Sequence, residues 1–369
     1  MFSATDHALM ARAVRLAEHA RCWARPNPHV GCVIARGDTV LGEGWTQPAG
    51  GHHAEIEALS RAGSDARGAT AYVTLEPCSH HGRTPPCADA LRAAGIARVV
   101  AAIEDPNPRV SGGGFGSLRE AGITVESGLL AEQAERQLAG FLARQRRGRG
   151  RVRAKLAMSL DGRTAMRSGE SQWITGAAAR RDVQRLRAES CAIVTGVGTV
   201  LADDCALTVR AEELAADTLL PPASRLALRV VMDSQLRTPP AARVLQGEQP
   251  TLLAHAAEAS VPEGLTGAAR LPLPQGPGGL SPDALLDALA EREVNEILLE
   301  CGPSLAGAFL GAGLIDQLLV YVAPRLLGSD ARPLFALPLT RMADAMELQL
   351  LDERRVGDDL RLTFASGMN

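Results

Sequence analysis

Four side chains in the first quarter of this 369-residue chain have types and spacing suited to metal-assisted hydrolysis: His53, Glu55, Cys78 and Cys87. One imidazole and two thiolates are ligands that zinc takes readily, and three protein ligands leave one tetrahedral corner for water. A water held in that corner becomes hydroxide near neutral pH. Glu55 is then left over as a carboxylate that can carry protons between the water and a leaving amine. His52, His80 and His81 are alternative imidazoles, but only His53 stands two residues before a glutamate. A structural zinc would take a fourth protein ligand, and none stands at plausible spacing. The other cysteines, Cys22, Cys32, Cys191, Cys205 and Cys301, read as small core residues.

The order His-x-Glu, then Pro77-Cys78, then a second cysteine resembles the signature of zinc nucleobase deaminases, whose cysteines are two residues apart. Here eight residues, Ser79 to Pro86, intervene. That longer run, Thr74-Leu75-Glu76-Pro77-Cys78 through Thr84-Pro85-Pro86-Cys87, resembles the deaminase half of the bifunctional riboflavin-biosynthesis deaminase–reductase. So do Pro26-Asn27-Pro28-His29-Val30-Gly31-Cys32 and Glu104-Asp105-Pro106-Asn107-Pro108. Ser159-Leu160-Asp161-Gly162-Arg163, Ser171-Gln172-Trp173-Ile174-Thr175, Leu201-Ala202-Asp203-Asp204, Glu300-Cys301-Gly302-Pro303-Ser304 and Ala323-Pro324-Arg325-Leu326-Leu327-Gly328 resemble its reductase half. The likeness covers nearly the whole chain.

The resemblance implies a cytidine-deaminase-like three-layer α/β/α domain over residues 1–147 and a dihydrofolate-reductase-like α/β domain over 148–369. It implies zinc-dependent deamination of a diaminopyrimidinone carrying a phosphoribosylamino arm, then NADPH-dependent reduction of that arm to a ribityl chain. On this reading Asn27, His80 and Asp105 contact the base or the ribose phosphate. Ala157, Trp173, Thr199, Asp203, Ser234 and the run Gly302, Pro303, Ser304, Leu305, Ala306, Gly307 and Ala308 line NADPH. Ser171, Arg187, Leu207, Arg210 and Glu300 hold the reductase substrate, with the arginines pairing its phosphate. Lys155 and Asp203 are candidates for positioning or proton transfer. The chain departs from the family at Thr46, where a histidine is usual, and at Cys205, where a proline is usual.

Bulk properties narrow the partners. The formal charge of −3 argues against a general nucleic-acid surface. No apolar run follows Met1, and no stretch of about 18 apolar residues exists, so neither a signal peptide nor a membrane span is expected. Seven scattered cysteines fit reduced cytosolic thiols better than a disulfide framework. The expected partner is a small phosphorylated pyrimidine, and the expected assembly is a cytoplasmic homo-oligomer. Two readings compete: a zinc deaminase of nucleosides or tRNA with an unrelated appended domain, and a zinc-stabilised scaffold.

The elements must bring these groups together. On a regular helix positions i and i+2 diverge, so His53 and Glu55 can share a metal only at an irregular first turn. Helices are expected at 6–24, 53–62, 86–94, 118–121 and 131–143, with a hairpin over 30–43 and strands at 71–75 and 99–103. After a basic run at 144–153, read as a solvated linker, strands are expected at 152–158, 192–195, 229–232, 297–300 and 318–322. Helices are expected at 175–188, 282–291 and 303–311. Gly196-Val197-Gly198-Thr199 and Gly302–Gly307 are strand–turn–helix junctions that suit a pyrophosphate. Gly112-Gly113-Gly114-Phe115-Gly116 lacks the dinucleotide-binding spacing and reads as a loop, as do 211–225 and 258–280.

Overall fold

The computed structural model describes residues 1–79, 85–107, 110–276 and 278–366. The chain divides into two compact units, Met1–Gly148 and Arg149–Ala216 with Pro222–Asn369, the short segment Asp217–Pro221 counting with the first.

In the first unit α1 (Ala4–Ala20) opens on a capping box: Asp6 N donates to Ser3 Oγ, and Ser3 N donates to the Asp6 carboxylate. β1 (Gly31–Arg36) and β2 (Thr39–Trp45) form a hairpin. There follow α2 (Ala54–Ala62), β3 (Thr70–Val73), α3 (Cys87–Ala93), β4 (Arg98–Ala101), α4 (Gly113–Glu120), β5 (Thr124–Ser127), α5 (Ala131–Gln137) and α6 (Ala139–Arg147). The sheet order is β2-β1-β3-β4-β5, antiparallel from β2 to β3 and parallel from β3 to β5. α2 touches α3 and α3 touches α4, whereas α1 touches α5, so helices form layers about the sheet. α2 lies directly on β2: a Cβ on Gly44 would stand 2.2 Å from the Ala54 carbonyl oxygen.

Two readings change here. Gly113–Gly116 belongs to α4 and is not a loop. The basic run is not a solvated linker either. Arg144, Arg146 and Arg147 fill the last turn of α6, where cations suit the helix dipole. Arg149 pairs with Asp316, Arg151 with Glu296, and Arg153 with Glu189.

The second unit comprises β6 (Arg151–Ser159), β7 (Arg163–Ala165), α7 (Ala177–Glu189), β8 (Ala192–Gly196), α8 (Val197–Asp203), β9 (Leu228–Met232), β10 (Thr251–Ala256), β11 (Ala269–Leu273), β12 (Gln275–Gly276), β13 (Gly279–Leu280), α9 (Pro282–Glu291), β14 (Glu296–Leu299), α10 (Pro303–Gly311), β15 (Gln317–Ala323), β16 (Arg332–Pro333), β17 (Leu348–Val356) and β18 (Asp359–Ser366). Its main sheet runs β11-β10-β9-β8-β14-β6-β15-β18-β17, parallel except for the last two pairings. β14 inserts between β8 and β6 after the chain has gone outward through β9, β10 and β11. The carboxyl ends of such neighbouring strands are where open α/β sheets bind ligands. Strands β10, β11, β17 and β18 were not anticipated, and β11 falls within the expected 258–280 loop.

Candidate active sites

His53 is the N-cap of α2, with extended backbone (φ −74°, ψ 163°), and Glu55 lies in the first turn behind it. The cap geometry frees His53 from the helical rotation that would carry it away from Glu55. Cys78 lies in the turn after β3, and Cys87 is the first residue of α3. Cys87 N donates to Cys78 Sγ at 3.3 Å, and Ala88 N to the Cys78 carbonyl at 3.2 Å, so the two cysteines are locked to each other by backbone.

The donor atoms converge. His53 Nδ1 is 3.6 Å from Cys78 Sγ and 3.3 Å from Cys87 Sγ, and all three ligand atoms lie within 4.8 Å of one another. Bonds of about 2.0–2.3 Å at a tetrahedral angle would put such donors roughly 3.5–3.8 Å apart. The residues therefore fit zinc. Hydrogen bonding to Cys87 draws the Cys78 thiol down to about 4, while Cys87, bonded to Cys78 and buried, moves up. Glu55 is buried, and burial pushes its carboxyl up to about 7 against the pull of His53. A carboxyl with that affinity takes up and releases protons near neutral pH.

Around this cluster, Asp105 is buried beyond β4, its Oδ1 accepting from Asn107 N at 2.9 Å. Burial raises its carboxyl to about 6. Asn27 is half-buried in the turn after α1, its backbone N donating to the Ala24 carbonyl at 3.0 Å. His80 lies outside the described residues. His52 is exposed and bonded to Glu57. Thr46 is buried, and its hydroxyl accepts from Val30 N at 3.0 Å, which ties the end of β2 to the segment that carries Asn27. Glu76 escaped the sequence reading: it is buried and accepts three backbone hydrogen bonds. The available signal was an acidic residue between the apolar end of a strand and Pro77.

In the second unit the expected residues collect at the carboxyl edge of neighbouring strands. Ala157 is on β6, Ser234 follows β9, Gly196 caps α8 after β8, and Gly302 caps α10 after β14. Space in front of Gly302 and Gly198 is open, and a Cβ on Gly196 would touch Leu305 of α10 at 3.5 Å. An open strand edge with α10 amides at its rim fits an extended phosphate-bearing cofactor. Thr199 lies within α8 and Ser304 is exposed in the first turn of α10, with Pro303 and Leu305 beside it. Ala308 is half-buried further along. Ala306 and Gly307 face the core; a Cβ on Gly307 would meet the Ala336 carbonyl at 2.3 Å.

The substrate candidates separate. Arg187 grips Glu300 with two hydrogen bonds, of 2.6 and 2.9 Å, and gives a third to the Thr208 carbonyl at 3.0 Å. Burial alone would raise the Glu300 carboxyl, but Arg187 overrides it and holds the carboxyl below the usual range. Lys155 senses both groups, and burial lowers its ammonium. Arg210 is turned to Glu213 at 2.7 Å, and Leu207 is buried in the core. Ser171 Oγ donates to Asp203 at 3.3 Å across a cleft of about 670 Å³ lined by 168–172, 201–204 and Arg332. Trp173 is exposed, not core, with the Arg180 guanidinium 4.5 Å above its ring.

Residues 3–103 match the family model of the cytidine and deoxycytidylate deaminase zinc-binding region, and residues 151–362 match that of the RibD C-terminal domain. The chain is 52% identical to the riboflavin biosynthesis protein RibD of Escherichia coli over 97% of its own length and 98% of that protein. It is 45% identical to RibD of Haemophilus influenzae, covering 98% of each chain. Among solved structures it is similar to Acinetobacter baumannii RibD, with a TM-score of 0.89 at 43% identity and 98% coverage of both. It is also similar to a Thermotoga maritima diaminohydroxyphosphoribosylaminopyrimidine deaminase/5-amino-6-(5-phosphoribosylamino)uracil reductase, with a TM-score of 0.85 at 30% identity over 98% of this chain and 99% of that one.

Proposed function

Since the chain belongs to the RibD family of riboflavin biosynthesis and joins a deaminase to a reductase, we propose that residues 1–147 deaminate 2,5-diamino-6-(5-phosphoribosylamino)pyrimidin-4(3H)-one and that residues 148–369 reduce the ribosyl arm of the product. The convergence of His53, Cys78 and Cys87 beside an unliganded, buried Glu55 carries the first assignment.

Bound zinc supplies a water acidic enough to attack at neutral pH. His53, Cys78 and Cys87 hold it. As the water oxygen bonds to C2, the Glu55 carboxyl would take one proton and pass it to the ring nitrogen doubly bonded to C2, then carry the remaining hydroxyl proton to the 2-amino nitrogen, so that the C2–N bond breaks, ammonia leaves and C2 keeps a carbonyl oxygen. Asn27, His80 and Asp105 contact the base or the ribose phosphate. In the second unit NADPH supplies the hydride. Gly302–Leu305 with Thr199, Asp203, Ser234, Ala157 and Trp173 bind it along the strand edge. Ser171, Arg187, Arg210, Glu300 and the backbone at Leu207 orient the opened sugar, with Lys155 placed to move a proton at the sugar oxygen.

A homo-oligomer is supported by β17, an edge strand whose Leu348, Leu350 and Leu351 are exposed. A cytoplasmic location is supported by the free thiols of Cys32, Cys78, Cys87, Cys191, Cys205 and Cys301. Among the described residues no helix is long and apolar enough to cross a membrane.

The deciding experiment is Glu55→Gln in the full chain. Zinc content should stay near one per chain while ammonia release falls by several orders of magnitude, because the proton carrier is gone. Metal loss, or near-normal turnover, sinks the assignment.

A further inference from the structure

Helix α4 begins without a cap of its own. Its N-cap residue is Gly112, at φ +73°, which has no side chain to offer the first-turn amides. The acceptor comes from a distant part of the chain. Glu76 Oε2 accepts from Gly112 N at 3.1 Å, and Oε1 accepts from Phe115 N at 3.0 Å. These are the N-cap amide and the amide of the third helical residue, so Glu76 caps α4 from outside, at the end where the helix dipole favours a carboxylate. The same Oε2 accepts from Asp105 N at 3.2 Å.

The glycine run serves the same docking. A Cβ on Gly114 would stand 2.0 Å from the Pro77 carbonyl oxygen, and one on Gly113 would stand 2.9 Å from Ser79 Oγ. Only a side-chain-free residue at 114 lets the helix start rest on the Pro77 carbonyl, whereas the Ser79 hydroxyl could rotate away from a Cβ at 113. Cys78 lies within that turn. A buried carboxylate therefore ties three things together: the turn that carries Cys78, the start of α4, and the backbone of Asp105.

We propose that Glu76 is a positioning residue for deamination, holding the Asp105 loop and α4 at a fixed distance from the Cys78 turn. The proposal rests on the reading of Asp105 as a substrate contact. Glu76 touches no reacting atom; it acts through where Asp105 stands. Its loss should weaken substrate binding in the deaminase while leaving zinc and the reductase alone.

The test is Glu76→Gln in the full chain. Glutamine keeps one acceptor oxygen and turns the other into a donor facing amides that also donate. The deaminase KM should rise roughly tenfold or more, with a smaller change in kcat. Zinc content and reductase kinetics should match the parent, and amide exchange at Gly112 and Phe115 should accelerate. Gly114→Ala leaves Glu76 in place but presses α4 off the Pro77 carbonyl; it should raise the same KM with zinc retained, and it decides the matter if Glu76→Gln does not fold. Parental KM in zinc-loaded Glu76→Gln overturns the proposal. So does loss of zinc in both variants with reduction intact, because Glu76 would then serve the metal turn alone. Asp105→Asn separates the two levels. If it leaves KM unchanged in a chain whose parent deaminates, the Asp105 contact fails and the proposal with it. If it raises KM while Glu76→Gln does not, only the proposal fails.

Discussion

The two sites are built on opposite plans. In the first unit the chain itself closes a metal-sized hole: three ligand atoms lie within 4.8 Å, held by a helix cap, a turn and a helix start. In the second unit the expected residues spread along the ends of β6, β8, β9 and β14, and the strongest charges there cancel one another, Arg187 against Glu300. A site for one ion can be specified by a few side chains. A site for a dinucleotide and a sugar phosphate must be as long as its ligands, so topology defines it more than any local cluster does.

The sharpest way to break this contrast is Cys78→Ser. If the first site is self-contained, the substitution removes zinc and abolishes ammonia release, while reduction of the separately supplied deaminated intermediate continues at the parental rate. A folded variant in which both activities fall together would show that the sites are shared or strictly coupled.

A smaller effect is expected at the Arg187–Glu300 pair. Removing one partner of a fully buried pair strands the other charge at a typical cost of about 3–5 kcal/mol, and this pair, whose side chains stay 16% and 10% exposed, should fall below that. Arg187→Ala should therefore lower the denaturant midpoint of the second unit, and adding Glu300→Gln should recover much of the loss. The reductase KM for the phosphorylated substrate should rise about tenfold or more, with NADPH binding unchanged. Weakened NADPH binding with an unchanged substrate KM would move Arg187 to the cofactor side. Full additivity of the two substitutions would mean that the pair carries no coupling.

The same contrast explains what could be read from the sequence. The cluster of His53, Cys78 and Cys87 was legible because few residue types bind zinc and each stands in a distinctive local motif. α9 and α10 were legible because Pro282 and Pro303 open them at the first helical position. The start of α4 was not, although a helix was expected over 118–121, because its cap, Glu76, comes from another part of the chain and residues 112–116 read as a glycine loop. β17 was not, because most of its side chains are exposed and no alternation marks a buried face. The arginines at 149, 151 and 153 read as a solvated run because Asp316, Glu296 and Glu189 lie far along the chain. The pairing of Arg187 with Glu300 was illegible for the same reason: nothing local to Arg187 announces its partner.

The smallest predicted effect concerns Asp105 and tests whether the first site is as closed as its geometry implies. Burial raises the Asp105 carboxyl from 3.8 to about 6, with the bond from Asn107 N opposing and the Glu76 and Cys78 charges adding to the rise. The folded unit then holds a proton that the unfolded chain releases. That stabilisation is full below about pH 4 and is lost as the pH rises through about 6, so ionised Asp105 costs about 2–3 kcal/mol at pH 8. Asp105→Asn keeps Oδ1 for Asn107 N and carries no charge at any pH. It should melt above the parent at pH 8, and the gap should narrow as the pH is lowered to 5. A gap that stays constant between those values would mean that solvent reaches the carboxyl. The pocket would then be open in the way the second site is, and the contrast between the two would lose its physical basis.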